Sequence, residues 1–209
     1  MKIKDIYVED ILKGTEYLGS GASKEVYRKG NKVIKVPRGR YILQEGGFGK
    51  HFDYPKSMNE VDDFLIKVDI FEPAMVWPLG QFAIEIIIWE VLQELKEKGE
   101  NIDCFAKITD YYLDKNGVPV IEQELADDAP NIDYKEAEKI LFDEIDALAP
   151  MLKDEYNIVL RDVRSGNCGF VGNKLKLFDF GISTTTSLDD YGSFSDYEGY
   201  EEDENEDNY

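Results

Sequence analysis

The stretch LRDVRSGNCGFVGNKLKLFDFG, Leu160 to Gly181, decides how the rest of the chain is read. It carries Arg161-Asp162, then Asn167 five residues after the aspartate, then Asp179-Phe180-Gly181. Between the two signatures, apolar runs flank Gly172-Asn173, a pattern that predicts a β-hairpin. A hairpin returns its ends to one place. Asp162 and Asn167 before it and Asp179 after it therefore converge. Two carboxylates and an amide oxygen are hard donors of the kind that suits Mg²⁺. Either signature alone would also fit an ordinary strand end and turn; their order and spacing carry the reading.

Upstream, Ile11 to Pro37 reads as three strands: ILKGTEYLGSG, SKEVYRKG and KVIKVP. The first turn holds Gly19 and Gly21, residues that let a backbone approach a ligand without a Cβ in the way. Lys35 sits in the apolar third strand. It either snorkels from an edge or meets a charge. From Arg38 to Gly80 the pattern is weaker: a loop at Glu45–Gly49, a short amphipathic helix in NEVDDFLIKVD, and His51 as a surface residue. QFAIEIIIWEVLQELKEK, Gln81 to Lys98, predicts a helix ended by Gly99. Its first turns are apolar almost all round, so it is largely buried. A carboxylate there needs a partner, and Glu85 and Glu90 compete for that role. Phe105–Tyr112 and Val118–Glu124 form a hairpin through Lys115-Asn116-Gly117. Asp133 caps a helix reaching Tyr156, with Pro150 expected to kink or break it.

Taken in order, the glycine turn, Lys35, Glu85, Asp162 with Asn167, and Asp179 resemble the protein-kinase family over residues 18 to 181. The resemblance implies an α+β, two-lobed fold. Residues 1–125 would form an antiparallel sheet with one main helix, and residues 126–187 a reduced helical lobe. It implies ATP and Mg²⁺ as cofactors, with Gly19, Gly21 and Val26 over the nucleotide. Lys35 would hold the phosphates and pair with Glu85, which Ile88 and Trp89 follow at the family's spacing. Ile121 would stand behind the adenine, and Glu122 and Gln123 would offer it backbone groups. Asp162 would receive the acceptor's proton, Arg164 would steady the transferring phosphoryl group, and Asn167 and Asp179 would hold the metal. The chain departs from the family in places. The loop's third glycine is Lys24, the histidine before Arg-Asp is Leu160, and the usual lysine after the catalytic aspartate is Arg164. Gly181 is not followed by the Ala-Pro-Glu segment or the helices that hold a peptide substrate.

The implied activity is phosphoryl transfer to a hydroxyl, with a protein serine or threonine preferred. Two alternatives stay open. One is a catalytically silent pseudokinase or acidic decoy that binds a partner. The other is a small-molecule kinase, whose loop Ser165-Gly166-Asn167 equally resembles. The net charge is -20, with 44 acidic against 24 basic residues, which argues against direct nucleic-acid binding. Half of that charge lies in residues 188–209, where ten Asp or Glu meet no Lys or Arg. This tail reads as disordered; its plain role is solubility, and its interleaved Tyr191, Phe194, Tyr197, Tyr200 and Tyr209 also suit an arm for a basic partner. Cys104 and Cys168 form no metal or disulfide framework. No stretch has the length and apolarity of a membrane span or the pattern of a signal peptide. A cytoplasmic protein is expected.

Overall fold

A computed structural model describes residues 1–21, 23–39, 55–61, 63–64, 73–126, 133–181 and 183–184. His51, the Glu45–Gly49 loop and the acidic tail lie outside the described residues. The fold is α+β. A short helix α1 (Val8–Leu12) precedes strands β1 (Glu16–Ser20), β2 (Lys24–Lys29) and β3 (Lys32–Pro37). A long helix α2 (Pro73–Glu97) follows, then β4 (Ile108–Leu113) and β5 (Pro119–Glu124). These strands make one five-stranded antiparallel sheet in the order β1-β2-β3-β5-β4. The second half holds α3 (Tyr134–Tyr156), β6 (Val159–Leu160), the hairpin β7 (Cys168–Val171) and β8 (Lys174–Leu177), and β9 (Ser183–Thr184).

Three local expectations are corrected. The first expected strand is partly helical, because Val8 and Ile11 are spaced to bury one face of α1 against the sheet. Helix α2 starts at Pro73, eight residues before the expected Gln81, and runs through Pro78. A proline in the second turn removes only one ladder bond near the helix start. Helix α3 likewise runs through Pro150 to Tyr156 and ends at Asn157, which adopts the left-handed conformation. Its N-terminus matches the reading: the Asp133 side chain accepts hydrogen bonds from the Lys135 and Glu136 amides.

The all-round apolarity of α2 has a packing cause. Leu79 and Ala83 join Ile34, Val36, Val120 and α1 in one cluster. Phe82, Ile86, Ile88, Leu92 and Leu95 join α3 and the β7–β8 hairpin in a second. Helix α2 thus lies between two cores. Met58 and Val61, from the segment before it, are buried in the second. No helix among the described residues is long and apolar enough to cross a membrane.

Candidate active site

The sheet register places one set of side chains together. Val26 faces Lys35 across β2–β3, and Lys35 faces Ile121 across β3–β5. Residues directly opposite share a face, and so do residues two apart on a strand. Lys24, Val26, Lys35 and Ile121 therefore lie on one face. Helix α2 brings Glu85 to it. Lys35 Nζ donates to Glu85 Oε1 at 2.6 Å and to the Phe178 carbonyl at 2.6 Å. The second bond ties the sheet to the peptide just before Asp179. Glu85 is 0% exposed, so its charge depends on partners inside the protein. Glu90, five residues on, is exposed and accepts from the Tyr111 hydroxyl. Of the two competing carboxylates, Glu85 is the one at Lys35.

Asp179 arrives on the strand leaving the β7–β8 hairpin. The Ala106 amide donates to the Leu177 carbonyl, and the Leu177 amide to the Cys104 carbonyl, both at 2.8 Å. Those bonds anchor the end of β8 beside the start of β4. Phe180 is buried edge-on against Phe105, with ring centroids 5.5 Å apart. Gly181 is there because the chain passes close to α2: a Cβ would come within 2.8 Å of the Gln81 carbonyl oxygen.

Lys24 is the residue that sequence reasoning missed. It stands where the glycine pattern expects its third glycine, and its ammonium is buried in the site. Nζ lies 2.7 Å from Asp179 Oδ1 and 2.5 Å from Glu85 Oε2, the latter an ion pair without hydrogen-bond geometry. Burial alone would lower the Lys24 pKa, but the Glu85 and Asp179 charges outweigh it and hold the ammonium above the ordinary lysine range. Burial would likewise raise Asp179, yet Lys24, Lys35 and the Gly181 amide keep its carboxyl well below the usual carboxylate range. The only sequence signal was the failed glycine match itself.

The loop before the hairpin is built from local bonds. Asn167 Nδ2 donates to the Asp162 carbonyl at 2.8 Å and to Asp162 Oδ2 at 2.7 Å. Arg164 Nε lies 2.8 Å from Asp162 Oδ1, with the arginine side chain 68% exposed and the aspartate 28%. The Phe178 amide donates to the Asn167 carbonyl at 2.9 Å, so this loop and the Asp179 segment touch directly. Past Gly181, Ser183 and Thr184 pair with Leu160 and Val159, closing the loop from its other end.

The remaining expected residues fall as follows. Among the described residues, nothing lies within 4 Å of a Cβ added at Gly19 or Gly21. Ile121 is fully buried. The expected backbone role of Glu122 and Gln123 toward adenine does not hold. Both sit in β5 between β3 and β4, and a strand paired on both sides directs its amides and carbonyls at its neighbours. The Gln123 side chain donates to the Ala106 carbonyl, and Glu122 accepts from Tyr112 and Lys32.

For a metal, Asp179 and Asn167 are the residues that would supply hard oxygens. Among the described residues no group of three or more His, Cys, Asp or Glu could hold an ion. Two protein donors fit Mg²⁺, which completes its shell from phosphate and water. Asn167 meets that need, since its amide nitrogen is committed to Asp162 and its oxygen is the remaining acceptor. Asp179 meets it with one oxygen already against Lys24.

No family model matches the sequence, and no curated protein does. Among solved structures, the chain is similar to one in the CAK complex of Chaetomium thermophilum bound to ATP-gamma-S, at 14% identity and a TM-score of 0.39. The match covers 87% of this chain and 52% of that one, so this chain spans about half the other's length.

Proposed function

We propose that the chain is an ATP-dependent phosphotransferase of protein-kinase-like organisation that acts on a hydroxyl group, with a protein serine or threonine as the acceptor. The observation that carries this reading is the buried Lys35–Glu85 pair, tied through the Phe178 carbonyl to the segment bearing Asp179. Two lysines buried on an apolar sheet face need anionic partners, here Glu85 and Asp179, and phosphate oxygens would be further partners of the same kind. In this reading residues 1–125 and 126–187 act as the two lobes, with the nucleotide between the β1–β2 turn and the Asp162 loop.

When bound, magnesium ATP supplies the phosphoryl group and the charge that must be neutralised. The chain's own work is positioning and electrostatics. Lys35, oriented by Glu85, holds phosphate oxygens. Asn167 and Asp179 are the metal's protein ligands. Asp162 is held at Oδ2 by Asn167 and at Oδ1 by Arg164, which aims a carboxylate lone pair at an acceptor hydroxyl. Arg164, mostly in solvent with its Nε on Asp162, would turn its remaining guanidinium N–H groups to a phosphoryl group.

A second reading has its own observation. The Lys24 ammonium on Asp179 would suit a protein that binds nucleotide or a partner without turnover. Incubation with labelled ATP and magnesium, alone and with cell lysate, separates the two. Transfer to protein hydroxyls that Lys35→Met lowers by orders of magnitude supports the kinase. ATP binding without transfer to any acceptor, protein or small molecule, supports the silent binder.

A further inference from the structure

Asp179 already touches a cation. Lys24 Nζ is 2.7 Å from its Oδ1, and the Lys24 side chain is 4% exposed. Three features make this a built contact. The Glu85 carboxylate is divided, with Lys35 on Oε1 and Lys24 on Oε2, so a single buried negative charge faces two buried lysines. Asp179 supplies the balancing charge. Lys24 opens β2 opposite Pro37, which fixes its stem in the sheet. A Cβ on Gly181 would lie 3.0 Å from Lys24 Nζ, so glycine at 181 leaves the ammonium its room.

Asp179 is also the carboxylate that the proposed function gives to the divalent ion, and the inference rests on that reading. Two cations on one carboxylate repel at short range, most strongly where water is excluded. A displaced Lys24 would remain beside Glu85 and need another anion, which a metal ion alone does not bring. We infer that Lys24 is a resident cation on Asp179, a positioning residue that competes with a free divalent ion for that carboxylate.

The test is titration of the full chain with Mn²⁺ in the absence of nucleotide, following free Mn²⁺ by electron paramagnetic resonance. Lys24→Met should bind Mn²⁺ about tenfold more tightly or better. Lys24→Arg, which keeps the charge, should not, and adding Asp179→Asn to Lys24→Met should erase the gain. A purely structural lysine would lower the melting temperature without tightening metal binding. Unchanged or weaker Mn²⁺ affinity in folded Lys24→Met therefore overturns the inference. Should that variant fail to fold, ¹⁵N spectra of the wild-type lysine ammonium groups decide. The Lys24 signal, identified by its loss in Lys24→Arg, must shift as Mg²⁺ binds, and a signal that stays fixed overturns the inference. Because no nucleotide is used, tighter Mn²⁺ binding without phosphoryl transfer would sink the proposed function and leave the competition standing. Transfer without tighter binding would do the reverse.

Discussion

Two charged regions meet at the Asp179 segment, and they are built in opposite ways. The cluster of Lys24, Lys35, Glu85 and Asp179 is joined by contacts spanning 50 to 155 positions, and Glu85 is fully buried. The Asp162–Arg164–Asn167 loop is joined by contacts spanning at most five positions, and its arginine stands mostly in solvent. The first region is held in place by the whole fold and in turn holds β2, β3, α2 and the end of β8 together. The second is a local device resting on that frame. Charge inside the cluster should therefore govern stability as well as the proposed phosphate placement, whereas charge in the loop should govern chemistry with little effect on stability.

The largest effect is expected from Glu85→Ala. It leaves two lysines buried with half their compensation, and breaking such a pair costs about 3–5 kcal/mol. Urea unfolding should show it as a lower midpoint. Glu90→Ala, on the exposed face, should change stability by no more than about 0.5 kcal/mol. Equal losses from both would break the comparison.

Asp162→Asn reverses the pattern. Under the proposed function it should cut phosphoryl transfer by about 10²–10⁴-fold while leaving ATP binding intact and stability within about 0.5 kcal/mol. A mutant with parental turnover removes Asp162 from its role. A mutant that unfolds shows the loop to be structural.

Gly181→Ala sharpens the boundary between the regions. Its methyl group would meet the Gln81 carbonyl and the Lys24 ammonium. Overpacking of this kind costs about 1–3 kcal/mol, readable by thermal melting. No loss would mean that the Asp179 segment yields to the methyl group at little cost.

The smallest expected effect lies outside both regions. Asp114 is buried and accepts hydrogen bonds from the Val8, Asn116 and Val118 amides, each at 2.8 Å. Burial nonetheless raises its pKa. A carboxyl raised in the folded state keeps its proton longer than in the unfolded chain. Stability therefore falls as pH rises from the ordinary aspartate range through the raised value. Melting curves across mildly acidic pH should show this negative slope, and Asp114→Asn should remove it. A positive slope that Asp114→Asn abolishes would contradict the assignment.

What could be read from sequence were the features carried by short spacings. The hairpin between Asn167 and Asp179 is written in alternation and a Gly-Asn turn, and Gly172 adopts the left-handed conformation there. The cap at Asp133, the strands β2 and β3, and the choice of Glu85 over Glu90 follow likewise from residues within a few positions. Helix ends were less legible, because Pro78 and Pro150 are tolerated where packing, of α2 on two cores and of α3 on one, outweighs one lost hydrogen bond. Glu122 and Gln123 could not be assigned from register alone, since whether a backbone group is open depends on which strands flank it. Lys24 was beyond reach for the same reason. In sequence it is one charge in a polar stretch, and the adjacent Glu25 points to the other face of the strand. Only the antiparallel register of β2 on β3, the course of α2 and the return of the chain at Gly181 bring it to Glu85 and Asp179. Local pattern determined which groups the chain has to offer. Tertiary structure decided which charges share a dry space, because ion pairing depends on distance and burial, neither of which a linear spacing of 155 residues encodes.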